Sequence, residues 1–180
     1  MIYVYKDMLK IYGSPYQIER AIKSGLAFKI ARGLYSNERH PNPSAVVCVA
    51  HPRAVLTMDS AFYLHGLTDC VPQTVSVATP RNTTRINNAL VKQYFMEPRL
   101  MKLGVESTEL DGSPVRVFSR ERMLVELLRN SNVLPLDYYK ELIGSYRKII
   151  SRLDMREVED CIALYARNDR LFTMLQREVL

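Results

Sequence analysis

The stretch that decides the fold runs from residue 13 to residue 36, GSPYQIERAIKSGLAFKIARGLYS. Gly13 supplies a tight turn, Ser14 is a preferred N-cap, and Pro15 falls at the first helical position, where a missing N–H costs nothing. Ile18, Ala21 and Ile22 recur at helical spacing and predict one buried face, and Gly25 stops the helix. Tyr16, Gln17, Arg20 and Lys23 then lie together off that stripe. Beyond the glycine, Leu26–Ile30 and Leu34–Ser36 read as two short strands joined at Ala31-Arg32-Gly33, with Gly33 giving the positive φ that the turn demands. Helix, glycine stop and basic hairpin together outline a winged helix-turn-helix. In that motif the exposed helix face enters a DNA major groove and the hairpin touches phosphate.

The side chains suit the task. A glutamine can bridge adenine and an arginine can fork onto guanine, each worth about 1–3 kcal/mol of discrimination. Ser14, Tyr16, Gln17, Arg20 and Lys23 on the helix, with Lys29 and Arg32 on the hairpin, form the candidate DNA-binding set. Arg32 is placed to reach a minor groove, whereas Glu19 interrupts the basic run and belongs beside the groove. The competing reading is an ordinary solvated helix face and a plain polar hairpin tip. Upstream, Tyr3–Ile11 predicts a supporting helix with Val4, Met8 and Ile11 on one side. A helix-turn-helix domain usually has a further helix before these two. Here the domain is either minimal or supported by the rest of the chain.

Charge sharpens this picture by its distribution. The 180 residues carry a net +6, with 47% hydrophobic and 24% charged residues, a globular balance with material for a core. Residues 1–40 hold seven Lys/Arg against three acids, and residues 81–102 hold Arg81, Arg85, Lys92, Arg99 and Lys102 against Glu97 alone. The remainder is slightly acidic. Clustered positive charge attracts polyanions and steepens salt dependence, although solvated basic faces would give the same counts. The central five form a candidate secondary basic surface, facing DNA, RNA or a protein partner, and a loop with a solvated strand edge explains them equally well.

No apolar run approaches the roughly eighteen residues of a membrane span, and Lys6 and Asp7 come too early for a secretory leader, so a cytoplasmic location is expected. Cys48, Cys70 and Cys161 lack a C-x-x-C pair, which argues for a reducing compartment. Cys48, His51, His65 and Cys70 could be gathered into a zinc set, but their spacing is not that of a zinc finger. Neither metal nor cofactor is expected.

Residues 37–43, NERHPNP, form a polar, proline-broken linker and the predicted boundary between a domain at 1–38 and a second at 39–180. Within the second, 39–130 reads as mixed α/β. Helices are predicted over Pro43–Ala50 and Asp59–His65, with brief strands at Val55–Thr57, Val91–Met96 and Val105–Leu110. Thr74–Ala78 alternates as a half-buried strand. Asp111-Gly112 is a hairpin turn leading to Pro114–Phe118, and Ser119 caps a helix carrying Met123, Leu124, Leu127 and Leu128. Three amphipathic helices follow, Leu136–Ile150, Met155–Ala166 and Asp169–Leu180, with breaks near Ser151-Arg152 and Arg167-Asn168. They make 131–180 an all-helical tail, and the fold class is α+β. Tyr138, Tyr139, Tyr146 and Tyr165 are read as part of the tail's core, with an interface as the alternative.

Three segments in order resemble a known family. They are Tyr12–Ser36, Ser60–Pro72 (SAFYLHGLTDCVP) followed by Val75–Arg81 (VSVATPR), and Val117–Asn130 (VFSRERMLVELLRN). The chain looks like the AbiEi-family antitoxins of type IV toxin–antitoxin systems, the abortive-infection modules of phage defence. The resemblance implies a winged-helix domain that binds inverted repeats in its own promoter and represses the operon. It also implies a C-terminal region that opposes a nucleotidyltransferase toxin without needing a stable complex. It carries over no catalytic residue.

Enzyme signatures point the other way. A nucleotidyltransferase would follow Gly-Ser with Asp-x-Asp, and none follows Gly13-Ser14, Gly112-Ser113 or Gly144-Ser145. Ser60 and His65 lack a G-x-S-x-G setting, and no P-loop, dinucleotide turn or H-E-x-x-H is present. The reading is therefore a non-enzyme. The alternatives are a winged helix that docks protein or RNA without reading DNA and, further off, a metal-dependent nuclease built from scattered acids.

Overall fold

The computed structural model describes residues 1–166 and 168–180, an α+β fold with eight α-helices and two sheets among those residues. The predicted break at Arg167 lies outside the described residues. The chain forms two compact units, residues 1–54 with 107–116, and residues 55–106 with 117–180.

The first unit opens with strand β1 (Ile2–Val4) and helix α1 (Tyr5–Tyr12). The sequence expectation was a helix from Tyr3. Instead Ile2, Tyr3 and Val4 pair antiparallel with Ser36, Tyr35 and Leu34, a pairing that suits two β-branched residues flanking an aromatic one. Of the three residues assigned to the helix's apolar side, only Met8 is buried, while Val4 and Ile11 are exposed. Helix α2 (Pro15–Lys23) buries Ile18 and Ala21, which join Met8, Ala27 and Tyr35 in one small core with Ile22 against it. Strands β2 (Phe28–Ala31) and β3 (Leu34–Ser36) complete a three-stranded sheet of order β1-β3-β2. Leu26 is not in a strand. It ends α2, its N–H donating to the Ala21 carbonyl while Gly25 N–H donates to Ile22, so the glycine at φ +74° closes the helix. Helix α3 (Pro43–Ala50), capped by Asn42, packs beside β1 and buries Ala45, Val47 and Cys48. Burial pushes the Cys48 thiol up to about 11.

The second unit is built on β4 (Val55–Leu56), β5 (Val75–Pro80) and β6 (Val91–Met96), joined by the hairpin β7 (Val105–Leu110) and β8 (Ser113–Phe118), whose far end belongs to the first unit. The strand order is β6-β5-β4-β8-β7, with β5 parallel to β6 and antiparallel to β4. The half-buried strand expected at 74–78 forms as β5, one residue later and buried at every position from Val75 to Pro80. β5 has a neighbour on each side and is covered by helix α4 (Met58–Leu64), so alternation in its sequence does not mean exposure of one face. The hairpin turn forms as expected, with Asp111 at φ +48° and Gly112 at φ +72°.

Helix α5 (Arg120–Arg129) is the second unit's axis, buried from Arg122 through Leu128. Ser119 caps it by accepting the Arg122 N–H at 3.1 Å. Helices α6 (Leu136–Ile149), α7 (Met155–Ala163) and α8 (Asn168–Glu178) follow. Tyr139 and Tyr146 are buried, and Tyr146 donates to the Arg120 carbonyl at 2.9 Å. No helix among the described residues is long and apolar enough to cross a membrane.

Candidate nucleic-acid interface

Helix α2 is held at both ends. Ser14 caps the start, its hydroxyl oxygen accepting the Gln17 N–H at 3.3 Å, and the glycine closure described above fixes the finish. Ile18 and Ala21 anchor the inner face, so the rotation of the helix is set by burial. Tyr16, Gln17, Arg20 and Lys23 consequently share the outer face, and all four are exposed, Tyr16 to 72%. An aromatic ring left that far in water gains nothing from the fold.

The hairpin adds Lys29, opposite Tyr35 in the register, and Arg32 in the two-residue turn before Gly33 at φ +78°. Both cations are exposed. Tyr5 N–H donates to the Gly33 carbonyl at 3.0 Å, which ties the turn to the start of α1. Among the described residues, Arg20, Lys23, Lys29 and Arg32 take part in no ion pair, so their charges are uncompensated by the protein. Lys6 and Arg39 are exposed as well, which charge counting registered but spacing did not single out, whereas Lys10 pairs with Asp7 at 3.3 Å. The first unit therefore carries all seven candidate residues: a cap, a four-residue helix face and two hairpin cations.

The secondary basic set is less uniform. Arg81, Arg85, Lys92, Arg99 and Lys102 are all exposed. Arg99 is bound to Glu97 at 2.7 Å in the 3-10 turn Pro98–Met101, and Lys92 lies 5.4 Å from the centre of the Tyr94 ring. Two of the five cations are thus already engaged.

The remaining chemical candidates have structural employment. His65 Nε2 lies 2.6 Å from the Phe118 carbonyl oxygen, and burial, above all, holds its pKa below the ordinary value. The Ser60 hydroxyl oxygen accepts the Ser76 N–H at 2.8 Å, leaving Ser60 and His65 committed to separate partners. Among the described residues no three His, Cys, Asp or Glu side chains are gathered as a metal site.

One polar cluster escaped sequence reasoning. Arg122 and Glu126 are 0% and 1% exposed and lie 2.9 Å apart, one turn apart on α5. Glu126 also accepts from Arg129 at 2.7 Å and from the Tyr165 hydroxyl at 2.5 Å, while the Arg122 guanidinium stacks over Phe118 and Tyr165. The available signal was a lone acid inside the apolar run MLVELL, four residues after an arginine. Its placement in the core assigns it to holding the helices rather than to a ligand.

No protein-family model matches this chain, and no curated protein matches it.

Proposed function

We propose that the first unit is a winged helix that reads duplex DNA and that the chain is the autorepressor and antitoxin of an AbiEi-type pair. The observation that carries the DNA reading is the α2 outer face. Gln17 and Arg20, the two side chains suited to base edges, lie beside Tyr16 and Lys23, exposed and free of ion pairs among the described residues. Lys29 and Arg32 supply phosphate contacts from the hairpin, as wings do. With α1 as support and α2 as reader, the three-stranded sheet takes the place of the wing and its backing. Ahead of α1, β1 pairs antiparallel with β3, the return strand of the proposed wing.

The antitoxin role rests on the resemblance of the three sequence segments and adds a functional partner, a nucleotidyltransferase toxin encoded beside this chain. A reporter driven by the chain's own upstream region tests the repressor half. Repression by the wild type and relief by Arg20→Ala are expected, and repression that survives Arg20→Ala and Gln17→Ala together would refute the assignment of α2 as reader. Co-expression with the adjacent reading frame tests the other half. Growth rescue by the full chain is expected, and a neighbouring frame that is neither toxic nor a nucleotidyltransferase would count against the pairing.

A further inference from the structure

A cavity of about 430 Å³ opens in the second unit, within the range of about 300–1,000 Å³ typical of small-molecule sites. Four separate segments line it: the start of α4 with Met58 and Asp59, residues 70–73, β6 with Lys92 and Tyr94, and the stretch 130–138 ending at Tyr138. Its backbone is strained where it meets α4. Met58 holds φ +45°, a conformation that costs a residue with a side chain about 1–2 kcal/mol. The other such residue among those described, Asp111, sits in a hairpin turn that requires it, but Met58 begins a helix, and retained strain of this kind concentrates at ligand sites.

The cavity is lined by one charge of each sign. Asp59 and Lys92 both line it, yet neither belongs to an ion pair among the described residues. Hydrogen bonding to the Tyr94 hydroxyl raises the Lys92 pKa, which keeps the ammonium charged. The Tyr138 hydroxyl is pushed up by burial and then by the Asp59 carboxylate that it faces, so it stays a neutral donor. Apolar side chains also line it in the open, Val71 and Val133 being 70% and 80% exposed, together with exposed Cys70 and Gln73.

We propose that this cavity binds a small zwitterion, an α-amino acid with an apolar side chain, its ammonium on Asp59, its carboxylate on Lys92 and its side chain across Val71 and Val133. A nucleotide or other polyanion would meet the Asp59 carboxylate, a simple amine would leave Lys92 unused, and a hydrocarbon would require neither charge. This site is independent of the DNA reading, and its test makes no use of DNA.

The full-length protein is titrated with L-phenylalanine and L-leucine by isothermal calorimetry and protein-observed NMR. N-acetyl-L-phenylalanine, which lacks the ammonium, and phenethylamine, which lacks the carboxylate, are titrated alongside. Saturable binding of both amino acids is expected, weakened about tenfold or more by loss of either ligand charge. Asp59→Asn removes the preference for the ammonium, and Lys92→Gln removes that for the carboxylate. Because the ligand series needs no variant, misfolding of either substitution leaves the question decidable. Absence of saturation to about 10 mM, or equal binding of all three phenyl compounds, overturns the proposal.

Discussion

Arg20 and Gln17 differ from the other exposed side chains of α2 in what their geometry can recognise. Arginine presents a planar fork to guanine, and glutamine a donor–acceptor pair to adenine. Replacing Arg20 or Gln17 by alanine removes base contacts while leaving Ile18 and Ala21 in the core, so the fold should survive. Each substitution is expected to weaken operator binding by about 1–3 kcal/mol and to relax sequence preference, measured as the ratio of affinities for specific and scrambled duplexes. A drop of equal size on both duplexes would reassign the residue to phosphate.

Two further residue-level consequences follow from burial. Burial depresses the folded-state pKa of His65 below its unfolded value, outweighing the hydrogen bond to the Phe118 carbonyl that raises it. The unfolded state then binds the proton more readily, so this stability is full above the ordinary histidine pKa and is lost as pH falls through it toward the depressed folded value. Urea denaturation at pH 7.5 and 5.5 (about one unit either side of that value) should show an acid loss in the wild type that shrinks in His65→Gln. An identical pH slope in the two proteins would remove His65 from the account. The thiols divide similarly. Cys70 is exposed, whereas Cys48 and Cys161 are buried with pKa values raised by burial to about 11. A thiol-specific disulfide reagent should modify Cys70 alone in the native protein and the other two only on unfolding.

At the scale of elements, α5 shows how a helix can be specified by a buried charge. Arg122 and Glu126 bind each other, and neutralising Glu126 takes from the buried Arg122 its carboxylate partner, whereas Glu126 also holds Arg129. Glu126→Gln should cost about 3–5 kcal/mol in urea denaturation, whereas Arg122→Leu combined with Glu126→Leu should cost less than the two single changes summed. Strict additivity would mean that the pair is not coupled. Gly104 completes this element's setting. At φ +66°, an added Cβ would sit 2.5 Å from the Arg122 Cβ, so Gly104→Ala combines backbone strain with a collision against a buried side chain.

The elements also show what the sequence could carry. α2 was legible because a cap, a proline at the first position, an apolar stripe and a glycine stop all agree within twelve residues, and the hairpins because their glycines sit where positive φ is needed. β1 was misread since an apolar triplet running directly into a helix has no boundary signal, and only its pairing with β3 makes it a strand. The burial of β5 on both faces depends on α4 and its neighbouring strands, none of which its own alternation reveals. The exposed face on α2 followed from spacing alone. The cavity could not, because Asp59, Lys92 and Tyr138 come from segments far apart in the chain.

At the scale of the whole molecule, the net +6 is concentrated in the first forty residues and in 81–102. If Lys23, Lys29 and Arg32 are the phosphate-facing cations, binding should weaken with salt with a logarithmic slope of about −3, and Lys29→Ala should lower its magnitude by about 1. A much steeper slope would bring Arg81, Arg85 and Lys102 into the footprint. The central claim, that this chain reads DNA sequence through α2, meets its most direct test in fluorescence-anisotropy titration of the full chain. Its own upstream duplex is compared with a shuffled duplex of the same composition at low and moderate salt. Tighter binding to the native sequence, retained at moderate salt and lost with Arg20→Ala, is the predicted result. Equally weak binding to both duplexes, unchanged by the substitution, would contradict it.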